Sequence, residues 1–148
     1  MNTIDLSTFR HQTHLDVRFM DFDALHHVNN ARYLNFLEES RIKYCQEVLD
    51  LLGRIDEFNV LVARIEIDFI KPILFNSSLN IYTKVSRIGR KSMEFESVIC
   101  SSNKGKKEII VSRAVQTLVS FNPSTQTSIE VPQEIKAKIE SYEKNLQS

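Results

Sequence analysis

DFDALHHVNNARYLNFLEESR, residues Asp21–Arg41, places two acids at alternate positions, two histidines and an Asn pair immediately ahead of a long amphipathic run. From Asn30 to Leu52 the positions Tyr33, Leu37, Ser40, Tyr44, Val48 and Leu51 recur at three- and four-residue steps, with Leu34, Phe36 and Leu52 widening the face. That period predicts a long, mostly buried helix. Asn29 or Asn30 is expected to cap it by accepting an early backbone N–H, and Gly53 to end it by taking the left-handed conformation. The titratable groups of the stretch then lie beside the unpaired N–H groups of a helix start, where a carbonyl can be polarised.

Ahead of this stretch, His14–Met20 alternates as a first strand with Leu15, Val17 and Phe19 on one face. Beyond Gly53 the period changes to two. Leu61–Phe69 alternates Leu61, Ala63, Ile65, Ile67 and Phe69 with Val62, Arg64, Glu66 and Asp68, and ends near Pro72. Leu79–Ile88, Ser92–Ser101 and Glu108–Phe121 repeat the pattern, separated by turn residues at Gly89 and at Asn103–Gly105. Such short connections require antiparallel neighbours. Pro132 opens a terminal helix with a narrow stripe of Ile135, Ile139, Tyr142 and Leu146. A sheet with one apolar face needs a cover, and the early helix is the element long enough to supply it. The expected class is α+β, an antiparallel sheet wrapped around a central helix, the hot-dog arrangement.

The 148 residues suit a single domain, 1–148. With 19 basic and 19 acidic residues the net charge is zero, so nothing global points to nucleic acid or an anionic membrane as partner. Cys45 and Cys100 show no paired spacing and read as reduced and buried, which suits an intracellular compartment. The first twelve residues, MNTIDLSTFRHQ, lack the apolar core of a signal peptide, and no later window approaches the length of a membrane span. A cytoplasmic protein without a membrane partner is expected.

Val17–Arg41, VRFMDFDALHHVNNARYLNFLEESR, resembles the signature of the 4-hydroxybenzoyl-CoA thioesterase-like family, most closely the branch that holds bacterial long-chain acyl-CoA thioesterases. Weaker similarity continues through RIEIDFIKPI at Arg64–Ile73, RIGRKS at Arg87–Ser92 and LVSFN at Leu118–Asn122. The resemblance implies hydrolysis of an acyl-CoA, of medium to long chain, by a homodimer or homotetramer whose sites lie where two sheets join edge to edge. It implies no metal and no cofactor, coenzyme A being part of the substrate. The family's catalytic Asp falls on Asp23, acting as general base toward water or as nucleophile, and the carbonyl-polarising backbone N–H falls on or near Asn30. His27 matches the His of the family's His-Val-Asn-Asn segment. His26 stands where many members have Gly. Arg90 and Lys91 resemble the stretch where relatives hold the nucleotide, and Tyr33 is a candidate to line the acyl pocket.

Residue chemistry agrees with these roles to different degrees. A thioester carbonyl gains negative charge under attack, which helix-start N–H groups stabilise, while a carboxylate supplies the base or nucleophile. The thiolate leaves readily, so one carboxylate and one oxyanion site suffice. Taken alone, Asp23 reads as a turn residue that bonds nearby amides; the resemblance gives it the catalytic role. Asp21 reads as structural. His26 and His27 are adjacent, so their side chains diverge, and no third ligand has metal-binding spacing. Arg87, Arg90 and Lys91 form a local basic patch suited to phosphates in an otherwise neutral protein. No G-x-S-x-G elbow, phosphate-cradling Gly-rich loop or His-Glu-x-x-His is present. Two rivals share the fold: a hydroxyacyl hydratase or dehydratase using His27 with Asp23, and a non-catalytic acyl-CoA-binding module. The regulators of this fold usually carry an added DNA-binding segment, and none is expected in the twelve residues ahead of the first strand.

Overall fold

The structure is a computed structural model that describes residues 3–144 and Leu146. Its elements are β1 (His11–Asp16), α1 (Asn30–Val48), β2 (Val60–Phe69), β3 (Ser77–Ile88), β4 (Ser92–Asn103), β5 (Ile109–Asn122), β6 (Thr127–Ser128) and α2 (Gln133–Tyr142). The sheet order is β1-β3-β4-β5-β2, antiparallel throughout, with the short β6 added to β5. Alternation on β3, β4 and β5 turns Leu79, Ile81, Val85, Met93, Phe95, Ile99, Ala114 and Leu118 inward, and α1 lies against them. This is the α+β hot-dog arrangement.

A polar row divides the space beneath α1. Ser40 on the helix meets Thr83 at 2.5 Å, Thr83 meets Ser97 at 3.3 Å, and the Arg41 guanidinium donates to the Gln116 side-chain oxygen. One apolar cluster, with Val28, Tyr33, Phe36, Leu37, Leu79 and Ile99, lies toward the start of the helix. Another, with Tyr44, Leu49, Phe95, Leu118 and Ile139, lies toward its end. The first sits under the Asp23 turn and supports it.

Three boundaries differ from expectation, each for a non-local reason. The first strand runs His11–Asp16 rather than His14–Met20, because its ladder with β3 ends where Asp16 meets Ser78. The chain then folds into a 3-10 turn, Phe19–Asp21, which leaves Phe19 exposed rather than in a strand face. Helix α1 stops at Val48 rather than Leu52, and Asp50 takes the left-handed conformation at φ 56° just past its end, while Gly53, left-handed as expected at φ 75°, lies beyond the helix. Lys138 of α2 donates to the Leu49 carbonyl at 3.1 Å and pairs with Asp50 at 3.5 Å, a cation where the helix end needs one. On β2 a register shift between Val62 and Arg64 breaks the alternation, so this edge strand lacks a consistently buried face.

The chain leaves α2 through a buried carboxylate. Glu143 is only 8% exposed and accepts from the Tyr44 hydroxyl at 2.6 Å and the Val85 N–H at 3.1 Å. Burial raises its pKa above the ordinary carboxylate value against the lowering effect of these donors, Lys84 and Arg10. The folded state therefore takes up this proton at higher pH than the unfolded state does. Its contribution to stability must grow as pH falls from the folded pKa toward about 4.3, and level off below. Glu143→Gln is expected to raise the urea midpoint at neutral pH and to lose that advantage toward pH 4.5.

Candidate functional site

Asp21 ties the turn to the helix. Its carboxylate is fully buried, accepting from the Arg18 N–H at 2.8 Å, with the Arg18 guanidinium at 3.4 Å and Arg32 Nε, in the first turn of α1, at 3.8 Å. Its carbonyl accepts from the Asn29 N–H at 2.8 Å, and the Val28 N–H donates to Ile73 at 3.1 Å. Between these anchors the chain reverses. The Asp23 N–H donates to the His27 carbonyl at 2.9 Å, the His26 N–H donates to the Asp23 carbonyl at 3.2 Å, and Phe22 bridges Val28.

The Asp23 carboxylate is half-buried and accepts the Leu25 N–H at 2.8 Å through Oδ1. Its Oδ2 makes no hydrogen bond and the group joins no ion pair among the described residues, which leaves an acceptor free to meet a water or a substrate. Asn29 is the N-cap: its side chain accepts from the Ala31 N–H at 2.9 Å and its carbonyl from the Arg32 N–H at 2.9 Å. The Asn30 N–H, first in the helix, has no partner among the described residues and no intrahelical one to find. A free carboxylate oxygen and a free helix-start N–H therefore belong to one turn, held by one buried acid.

Two hollows are lined by residues of this turn. The outer one, about 390 Å³, is lined by Phe19, Phe22, Asp23, His26 and Phe75. The inner cleft, about 240 Å³, includes His27, Asn30, Tyr33, Phe69 and Lys71. His27, Asn30 and Tyr33 are thus brought together, while Asp23 lines the other hollow. Tyr33 is buried with its ring edge-on to Phe69 at 4.9 Å, and burial pushes its hydroxyl pKa up. Periodicity placed Phe69 on a strand face but not at the site, and it could not find Lys71 and Phe75, because IKPILF at Ile70–Phe75 has no period and its signals are the apolar side chains flanking Pro72 and the family-like RIEIDFIKPI run.

Arg90 and Lys91 lie elsewhere in the chain. They form the β3–β4 turn, where Arg90 pairs with Glu130 at 2.9 Å and the Lys91 carbonyl accepts from Ser120 at 2.9 Å. Ser120 pairs with Val60, whereas the inner cleft sits at Phe69. The length of β2 separates the two places by about 30 Å at the usual rise per residue. Among the described residues no group of three or more His, Cys, Asp or Glu side chains could hold a metal ion, and no helix is long and apolar enough to cross a membrane.

His26 adopts the left-handed conformation, φ 64°. A side chain there costs roughly 1–2 kcal/mol, partly offset by the ~0.5–1 kcal/mol of extra freedom that Gly loses on folding. His26→Gly should therefore stabilise by about 0.5 kcal/mol, and His26→Val, β-branched at the same φ, should destabilise by at least about 1 kcal/mol in urea denaturation.

Comparison with known proteins agrees with this architecture. Residues 17–139 match the family described as the thioesterase-like superfamily. The long-chain acyl-CoA thioesterase FadM of Escherichia coli (strain K12) is 30% identical over 141 residues, spanning 90% of this chain and 99% of that protein. A thioesterase from Thermus thermophilus, solved with coenzyme A and Zn, superposes with a TM-score of 0.79 at 28% identity, covering 90% of this chain and 94% of that one. The 4-hydroxybenzoyl CoA thioesterase of Pseudomonas sp. strain CBS-3 shares the fold, with a TM-score of 0.75 at 17% identity over 86% of this chain and 96% of its own.

Proposed function

This chain belongs to the thioesterase-like superfamily and is a thioester hydrolase, and from that premise we propose that it cleaves acyl-CoA of medium to long chain at the Asp23 turn. One observation carries the reading: the unpartnered Asn30 N–H and the free oxygen of Asp23 belong to a single anchored turn. The N–H, aided by the helix dipole, stabilises the carbonyl oxygen as it gains charge. Asp23 either takes a proton from water as hydroxide attacks, or attacks the carbonyl itself to form an anhydride that water then opens. Either route consumes one water and yields the free acid and the coenzyme A thiol. The thioester carbonyl is placed between the Asp23 carboxylate and the Asn30 N–H, at the turn that both belong to. His27 supports the turn through its carbonyl on the Asp23 N–H. No metal or cofactor takes part in this scheme.

The hydrolase works as a homodimer in this reading, paired antiparallel through β2. The strand is an edge with exposed Leu61, Val62 and Phe69, and an unpaired edge of that kind calls for a partner. Antiparallel β2–β2 pairing sets the Val60 end of one subunit beside the Phe69 end of the other. It brings the partner's Arg90 and Lys91 to within about three strand spacings, or ~15 Å, of this subunit's cleft, where they can meet the phosphates of coenzyme A.

The test is thiol release from a panel of acyl-CoA substrates, followed by subunit mixing. Asp23→Asn homodimers and Arg90→Ala/Lys91→Ala homodimers are each impaired, the latter chiefly in KM. Mixed dimers hold one site with an intact Asp23 and an intact hairpin from the other chain, so mixing restores tight, fast hydrolysis. No thiol release from any acyl-CoA rejects the function; no restoration on mixing rejects the shared site.

A further inference from the structure

Three connections meet at the end of the sheet that carries the Asp23 turn. There β1 ends with Asp16 opposite Ser78, β3 begins with Ser77 opposite Asn103 at the end of β4, and β2 ends with Phe69 opposite Ser112 near the start of β5. The loops leaving these strands, 17–29, 70–76 and 104–108, therefore share one end. The first two touch, through the Val28 N–H on the Ile73 carbonyl and through Phe22 on Phe75 at 5.3 Å between ring centroids. Phe19, Met20, Leu25, Leu74 and Phe75 stand exposed on these two, joined by Ile109 at the start of β5, with Phe19 at 85% and Leu25 at 74%. Apolar exposure gathered at one end of a molecule marks an interaction surface. None of these side chains lies on β2, the edge assigned to subunit pairing.

The same loops collect cations in a chain of zero net charge. Arg18, Lys71, Lys104, Lys106 and Lys107 are all exposed. The lysine ion pairs among the described residues belong to Lys136 and Lys138 on α2, so the four lysines at this end carry uncompensated charge. The acids beside them are engaged or withdrawn: Asp21 is buried against Arg18, Asp23 is half-buried, and Glu108 accepts from Asn80 at 2.7 Å and Tyr82 at 2.8 Å. Asp16, at the strand end, pairs with His14 at 3.3 Å. A second copy docked end to end would set four lysines against four. The apolar side chains project from separate segments, and a fluid acyl layer closes around each one, where a folded partner would need a matching relief. Apolar tips among free lysines suit an anionic lipid, which offers acyl chains to the first and headgroups to the second.

We propose that this end of the protein docks on an anionic lipid layer, with Phe19, Met20, Leu25 and Phe75 entering the acyl region and Lys71, Lys104, Lys106 and Lys107 resting among the headgroups. Lysine stems are long enough to keep their ammonium groups at the surface while the apolar tips sink below it. The attachment is peripheral and needs no membrane-spanning helix. The expectation of no membrane partner rested on the balance of 19 basic and 19 acidic residues, which averages the lysines of one hairpin with acids elsewhere in the chain.

The chain has no tryptophan, so Phe19→Trp places a single reporter at the contact, and Leu52→Trp, at a 75% exposed side chain in the α1–β2 connection, supplies the comparison. On vesicles of phosphatidylcholine and phosphatidylglycerol in equal parts, Phe19→Trp emission should shift to the blue and be quenched by brominated acyl chains, and Leu52→Trp should do neither. Cosedimentation with the same vesicles should show binding weakened at least about tenfold in Lys104→Gln/Lys106→Gln/Lys107→Gln, a lysine near an anionic surface being worth about fivefold. Phe19→Ser/Met20→Ser should weaken it at least about tenfold as well, through the lost apolar burial. Vesicles of phosphatidylcholine alone should bind the wild-type protein at least about tenfold less than the mixture. Urea midpoints show whether the multiple variants are folded, and where one is not, the Phe19→Trp shift decides. Absence of that shift, an equal shift in Leu52→Trp, or equal binding to both kinds of vesicle overturns the proposal. So does loss of binding in the lysine variant with none in Phe19→Ser/Met20→Ser, because a basic patch without insertion takes an acidic protein rather than a lipid layer. Neither readout needs turnover, so docking and thioester hydrolysis are judged separately.

Discussion

Asp23→Asn is expected to lower kcat for every acyl-CoA substrate by at least about a hundredfold, in the range of ~10²–10⁴ that removal of a positioned acid–base group produces. The amide keeps an oxygen where Oδ1 accepts the Leu25 N–H at 2.8 Å, so the turn stays closed. What is lost is the charge and basicity of the free oxygen. The Asn30 N–H remains, and with it the residual rate that an oxyanion site alone supplies. Thiol release and urea denaturation together check this: turnover falls while the unfolding free energy stays within about 0.5 kcal/mol of wild type, as for an isosteric change at a partly exposed site. Normal turnover across the chain-length panel would remove Asp23 from the mechanism.

Asp21→Ala, two residues away, should act in the opposite order, on the fold first. The fully buried carboxylate takes the Arg18 N–H at 2.8 Å and sits near two guanidinium groups, one of them in the first turn of α1. Its removal strips a charged acceptor from the part-buried Arg18 amide and leaves two guanidinium groups without their shared carboxylate, at about 2 kcal/mol, within the range for hydrogen bonds to charged groups. Arg18 and Arg32 are partly exposed and return to water, which keeps the loss below the ~3–5 kcal/mol of a stranded buried charge. Denaturation should show the loss directly. Activity should fall too, because the Asp23 turn and the helix start are then no longer fixed to each other, and Asp21→Asn should recover part of both. Full stability of Asp21→Ala would show that the turn is held by its backbone bonds alone.

The contrast between the two acids also shows what a chain can reveal before it is folded. The start of α1 was legible because capping is local: Asn29, Ala31 and Arg32 are neighbours in sequence, and their bonds need nothing from elsewhere. Strands β3 to β5 were legible because one face of each is buried and alternation follows from that. The end of α1 was not, since Lys138, across the chain, decides where the last carbonyls find a cation. Nor was the end of β1, set by where its partner strand begins. Asp21 read as structural from sequence, but its reach to Arg32 could only be seen folded. Arg90 and Lys91 were chosen for charge, and charge does not reveal which end of a sheet a hairpin occupies. The aromatic wall of the outer hollow escaped, because Phe19 and Phe75 come to line one hollow only once the 3-10 turn replaces the end of the expected first strand.

The row of Ser40, Thr83, Ser97, Arg41 and Gln116 beneath α1 has an evolutionary consequence. Apolar side chains on either side of it share few neighbours, so substitutions in one cluster should be nearly blind to the state of the other. Residues under the Asp23 turn are then free to drift in size as substrates change, while the far cluster goes on holding the helix to the sheet. A lineage built on this chain can retune its site without first acquiring spare stability at the opposite end.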